Sequence, residues 1–138
     1  MRAYSLTTCT ADRHAAFRDA RVARYCITAL RALEPFDVYL YCFMPDHLHL
    51  LLVASSGDAD LIEAMKRFKQ GTGFTYKQQE RQPLWQKSYY DHVLRRDEDI
   101  RFVARYIAEN PVRAGLVEHY GEYPLTGSLI GRVEDLVA

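Results

Sequence analysis

Several features are missing from this chain of 138 residues, and each absence narrows its identity. No apolar run is long enough to cross a bilayer, because Asp46, His47 and His49 interrupt the longest one, so no membrane partner is expected. The first residues, Met1-Arg-Ala-Tyr-Ser-Leu-Thr-Thr, lack the apolar core of a secretory signal. Cysteine is scarce: Cys9, Cys26 and Cys42 are odd in number, widely spaced and without a C-x-x-C, which reads as buried thiols in a reducing cytoplasm. There is no excess charge of either sign, with 18 Lys and Arg against 18 Asp and Glu, so composition gives no support to polyanion binding. The distribution says more: Lys66 to Arg113 holds eleven basic and six acidic residues, a local balance of +5. Repeats, low-complexity stretches and linkers are also missing, so residues 1–138 are expected to form one domain. What remains is ordinary for a soluble globular protein, 49% apolar and 26% charged.

The pattern along the chain reads as alternating strands and helices. Residues 4–10, rich in Thr and Tyr, predict a first strand. Residues 15–33 carry Phe17, Val22, Tyr25, Cys26, Ala29 and Leu33 near helical spacing, and Pro35 stops that helix. Residues 36–44 and 47–53 predict an antiparallel hairpin around a tight Pro45-Asp46 turn. Both faces of the 36–44 strand are largely apolar, which implies cover on both sides of the sheet. A helix follows from Asp58, with Leu61, Ile62, Met65 and Phe68 on one face, Lys66, Arg67 and Lys69 on the other, and an end toward Gly71. A second helical stretch is expected over 74–80, then a strand over 89–94. Asp97, Glu98 and Asp99 suit the N-cap and first turn of a last helix, which should run to Asn110 because Pro111 disfavours helical geometry just before it. The tail from Gly121 reads as irregular. The fold class is α/β (α+β): a ferredoxin-like βαββαβ sandwich with an antiparallel sheet and a further C-terminal helix.

Two histidines one residue apart carry the chemistry. Strand side chains alternate, so His47 and His49 share one face while Leu48, Leu50 and Leu52 share the other. Two imidazoles side by side on a rigid strand make a divalent metal site with open positions, and a pair of solvated surface histidines is the plainer alternative. Tyr106 and Asn110, four residues apart, stack on one side of the last helix. If that side lies over the histidines, the site gains a phenol and an amide oxygen and suits phosphoryl transfer. Taken alone, Tyr106 is more often a packing residue and Asn110 a helix-end residue.

The segment Met44-Pro-Asp-His-Leu-His-Leu-Leu51 resembles the HUH motif of single-tyrosine HUH transposases. Tyr106-Ile-Ala-Glu-Asn-Pro-Val-Arg-Ala-Gly-Leu-Val117 resembles the tyrosine helix of their REP-associated branch. Tyr4-Ser-Leu-Thr-Thr-Cys-Thr10 and Pro83-Leu-Trp-Gln-Lys-Ser-Tyr-Tyr-Asp-His-Val-Leu-Arg95 agree more weakly, and the likeness covers most of residues 4–125. The resemblance implies His47 and His49 as metal ligands, Asn110 as a third and softer ligand, and Tyr106 as the catalytic nucleophile. It implies Mg²⁺ or Mn²⁺ and a single-stranded DNA substrate bearing a hairpin, cut to leave a 5′-phosphotyrosine and a free 3′-hydroxyl. Members act as homodimers or as monomers.

Lys66, Arg67, Lys69, Arg95, Arg96 and Arg113 are the candidate nucleic-acid-binding residues. The chain departs from the family it resembles in its neutral charge, and its tail beyond Tyr123 is short and ends in acidic, apolar residues. Two other readings stand beside the enzyme. One is an inactive or domesticated DNA- or RNA-binding module on the same fold, although the aromatic signature of an RNA-binding sheet is absent from the third strand. The other is a structural zinc site with His47, His49 and a cysteine, for which the spacings offer no pattern.

Overall fold

The computed structural model describes residues 2–138. Its first part runs β1 (Ala3–Cys9), α1 (Ala20–Leu30), β2 (Phe36–Met44), β3 (His47–Ala54), α2 (Leu61–Glu80) and β4 (Tyr90–Leu94). Then come α3 (Asp97–Ala108), α4 (Asn110–Arg113), β5 (Thr126–Gly127) and α5 (Val133–Val137). The sheet order is β4-β1-β3-β2-β5, with every neighbouring pair antiparallel. The βαββαβ sandwich of the sequence reading is present, with β5 added at the β2 edge.

Alternation along the strands sends side chains into two separate cores. Tyr4, Leu6, Leu48, Leu50 and Leu52 meet Val22, Ala23, Cys26 and Leu30 of α1 and Ala64, Met65 and Phe68 of α2 on one face. Ala3, Leu40, Cys42 and Leu51 meet Ile100, Ala104, Ile107 and Ala108 of α3 and Val137 of α5 on the other. A register shift between Val38 and Leu40 switches the parity of β2. Val38 therefore faces α1 and α2, whereas both Tyr39 and Leu40 face α3. The bulge is how a strand apolar on both sides serves both cores.

Several boundaries differ from the sequence reading. The first helix begins only at Ala20, after 3₁₀ turns at Ala11–Arg13 and Ala16–Arg18, and the Asp19 carboxylate caps it by accepting from the Arg21 amide at 3.0 Å. The 58–71 and 74–80 stretches are one helix. Ala64, Phe68, Thr72 and Tyr76 keep a four-residue stripe of buried positions straight through Gly71 and Gly73. The indole N–H of Trp85 donates to the Thr72 hydroxyl at 2.9 Å and fixes this region. Burial there outweighs the cost of two helical glycines. Ile62 does not join the core; it is 74% exposed. The last helix ends at Ala108, and Asn110 opens a separate helical turn with Pro111 near its start. A proline in the first turn of a helix lacks only an N–H that would have no partner there, so the chain restarts instead of stopping. The tail is ordered into β5 and α5, and the Tyr123 hydroxyl donates to the Phe43 carbonyl at 2.5 Å.

Candidate active site

His47 and His49 open β3 beside the Pro45-Asp46 turn, and their side chains lie on the α3 side of the sheet, the side of Leu51. Their rings meet edge to face with centroids 4.7 Å apart, and the two Nε2 atoms face each other at 3.2 Å. Each Nδ1 has its own oxygen partner. That of His47 lies 2.7 Å from Asp46 Oδ1, and that of His49 lies 3.0 Å from the Thr7 hydroxyl. A carboxylate only accepts, so the proton of neutral His47 sits on Nδ1 and Nε2 carries the lone pair that faces His49. Thr7 can hold His49 in the same tautomer. This is the usual arrangement of metal-binding imidazoles, whose second nitrogen is oriented by a carboxylate or hydroxyl.

Electrostatics keep His49 ready to donate a lone pair. Burial, then neighbouring His47, then Arg113 push His49 down to about 4, so it is uncharged at neutral pH. Burial works against the charge of Asp46, but hydrogen bonds from His47 and Arg13 hold its carboxyl below the usual range. Arg13 Nε reaches Asp46 Oδ2 at 3.1 Å.

Tyr106 lies on α3, the helix that covers the same face of the sheet. Its side chain is 54% exposed, away from the buried stripe of Ile100, Ala104 and Ile107. Asn110 follows in α4. Arg113 joins the two: its guanidinium carbon lies 3.8 Å from the centre of the Tyr106 ring, and its Nη2 donates to Asn110 Oδ1 at 3.2 Å. The charge of Arg113 also acts on His49, helping to hold its pKa down.

The two imidazole nitrogens, facing each other at 3.2 Å, fit a divalent cation with open positions. Among the described residues no three His, Cys, Asp or Glu side chains gather as metal ligands. Cys42 is buried beneath, its sulfur accepting from the Thr126 hydroxyl at 3.3 Å. The closed zinc site with a cysteine therefore does not assemble here.

The basic residues divide. Lys66, Arg67 and Lys69 lie on α2, across the sheet from the histidines. Arg67 donates to the Glu34 carbonyl at 2.8 Å, and Lys69 to the carbonyls of Gln86 at 2.7 Å and Ser88 at 3.3 Å. Arg95 and Arg96 are exposed at the start of α3, where Arg96 pairs with Asp99 at 3.1 Å. Of the six candidates, Arg113 is the one joined to Tyr106 and Asn110. Asp46 and Thr7 were not singled out from the sequence as site residues. Asp46 had a local signal in preceding His47, whereas Thr7 reaches His49 only through the β1–β3 register.

Residues 2–110 match the family model described as "Transposase IS200 like". The chain belongs to this family. It is 26% identical over 110 residues to the REP-associated tyrosine transposase of Escherichia coli K12, an alignment covering 77% of this chain and 62% of that one. It is 30% identical over 103 residues to a candidate REP-associated tyrosine transposase of Haemophilus influenzae, covering 65% and 57%. The chain thus spans about three-fifths of the length of these curated relatives. The fold is that of a REP-associated tyrosine transposase solved bound to a REP hairpin, with a TM-score of 0.77 at 21% identity over 90% of this chain and 74% of that one. No helix of the described residues is long and apolar enough to cross a membrane.

Proposed function

We propose that the chain is a single nuclease domain, residues 1–138, that nicks and rejoins hairpin-bearing single-stranded DNA through a covalent bond to Tyr106. The observation that carries this reading is the facing pair of Nε2 atoms, 3.2 Å apart, on the sheet face covered by the helix of Tyr106. His47 and His49 would hold Mg²⁺ or Mn²⁺ through Nε2, with Asn110 Oδ1 as the third protein donor. When bound, the ion supplies Lewis-acid polarisation of the scissile phosphate. Asp46 and Thr7 keep the imidazoles in the tautomer that donates. The exposed Tyr106 oxygen attacks phosphorus as the P–O3′ bond breaks. The phenol loses its proton to solvent, and the departing oxygen becomes a 3′-hydroxyl. The 5′-phosphate stays on Tyr106, and a 3′-hydroxyl can attack it to restore the phosphodiester and free the tyrosine.

The partner is a DNA hairpin of the kind bound by the structural relative. A homodimer in which the tyrosine helix of one copy serves the histidines of the other is compatible with the same chemistry. The setting is the cytoplasm, which suits three free thiols. The test is a denaturing gel of an end-labelled hairpin with a single-stranded flank, incubated with protein and Mg²⁺. A protease-sensitive adduct that EDTA suppresses is expected. Full cleavage in excess EDTA removes the metal role, and binding without any adduct leaves a DNA-binding module.

A further inference from the structure

We infer that Arg113 is a positioning residue for Tyr106 and Asn110, holding the phenol and the amide oxygen in one fixed relation. The inference rests on the reading of Tyr106 as nucleophile. A tyrosine 54% exposed on a helix flank has rotamer freedom. Among the described residues nothing hydrogen-bonds its hydroxyl. In-line attack needs one orientation, so something other than burial must select it.

Arg113 touches every part of the problem. The helix of Tyr106 ends at Ala108, so the Tyr106 carbonyl is among the last four, which have no ordinary intrahelical partner. Arg113 Nη2 donates to that carbonyl at 2.7 Å and to Asn110 Oδ1 at 3.2 Å. The same planar group lies against the Tyr106 ring at 3.8 Å. One guanidinium thus caps the helix, turns the amide and packs the ring. Arg113 can do this because α4 restarts the helix at Asn110, directly after the end of α3; its own amide donates to the Glu109 carbonyl at 2.9 Å. The ring contact needs a flat group and not merely a positive charge. Both hydrogen bonds come from Nη2, but an ammonium has no plane to lay on the ring and so cannot make them while packing it.

The test compares wild type with Arg113→Lys, Arg113→Gln and Tyr106→Phe. Single-turnover adduct formation at saturating hairpin should fall by about 10- to 100-fold in both Arg113 variants, the scale of a small misplacement of a reacting group. Hairpin affinity and its salt dependence should stay within about twofold in Arg113→Lys, which keeps the charge. In metal-free protein carrying ¹³C-labelled tyrosine, the Tyr106 ring signal is the one lost in Tyr106→Phe. Arg113→Lys should move that signal toward the position of free tyrosine, whereas loss of folding would move many signals. Full activity in Arg113→Lys, or an unmoved ring signal, overturns the inference in favour of a simple charge role. An adduct that persists in Tyr106→Phe overturns the nucleophile reading itself.

Discussion

The two faces of β3 differ as sharply as any two regions of the molecule. Leu48, Leu50 and Leu52 point into the α1–α2 core and have no exposed surface. One residue out of phase, His47 and His49 point the other way, half-buried, with each Nδ1 bound to an oxygen and both Nε2 atoms turned toward each other. One side of the strand is core throughout; the other carries candidate chemistry at its start and joins the second core at Leu51. The core face fixes the backbone, and the fixed backbone sets the spacing of the imidazoles. A metal-binding pair gains from such support because its geometry is set before any ligand arrives.

The largest effect that can break this comparison is on chemistry alone. Tyr106→Phe should reduce the covalent adduct to background while changing unfolding free energy by no more than about 0.5 kcal/mol, since the lost hydroxyl is exposed. A gel and a urea titration check both halves. If the adduct survives, the nucleophile is another tyrosine, with Tyr89 and Tyr90 the next to replace.

Leu50→Ala probes the opposite face. It should cost about 2–5 kcal/mol of stability through lost burial and a cavity in the α1–α2 core. Adduct formation by the molecules still folded should stay near normal, measured well below the lowered melting temperature. A large loss of activity per folded molecule would mean that the two faces are not separable.

Thr7→Val tests the link between register and site. Valine keeps the shape but cannot bond the His49 Nδ1, now 3.0 Å from the threonine hydroxyl. The Mg²⁺ concentration for half-maximal adduct formation should rise by about 10- to 100-fold. An unchanged requirement would leave the hydroxyl without a role in orienting His49.

Thr7 also marks where the sequence stops being legible. The strand reading placed His47 and His49 on one face because period-two alternation is local, and the structure agrees. It assigned cover to both sides of β2 from apolar content, which the bulge near Val38 now accounts for. The single α2 escaped it, because Gly71 and Gly73 look like breakers until Phe68, Thr72 and Tyr76 are seen packing through them. The restart at Asn110 escaped it too, since Pro111 has opposite meanings inside a helix and in its first turn. Partners such as Thr7 with His49 depend on contacts between distant segments, which no local pattern reports.

The acid response should be smaller. Folding holds His49 down to about 4, against about 6.5 in an unfolded chain. Between those values the unfolded chain binds the extra proton, so stability of the metal-free protein is complete above about pH 6.5 and is lost as pH falls toward 4. The shift sets a ceiling of about 3 kcal/mol, reached only if the surroundings do not relax. His49→Gln removes the group, so its urea midpoint should fall less between pH 7 and pH 4.5 than that of wild type. Equal falls would show that His49 is solvated in the fold.

The smallest effect concerns α2, where the structure changes what the sequence implied. Three adjacent basic residues read as three phosphate contacts, and replacing Lys66, Arg67 and Lys69 with glutamine would then reduce the salt slope of hairpin binding by about three units. In the fold, α2 lies across the sheet from the histidines. Arg67 already holds the Glu34 carbonyl and Lys69 already holds those of Gln86 and Ser88. Burial also lowers the pKa of Lys69, as expected of an amine partly withdrawn from solvent. Lys66 is the exposed member of the three with no such contact among the described residues. The triple variant should therefore change the salt slope by about one unit or less, while Lys69→Gln loosens the segment before β4 and lowers stability modestly. A fall of two or three units would mean that the DNA wraps past the sheet edge onto the α1–α2 side. The two faces would then share the substrate instead of dividing core from chemistry.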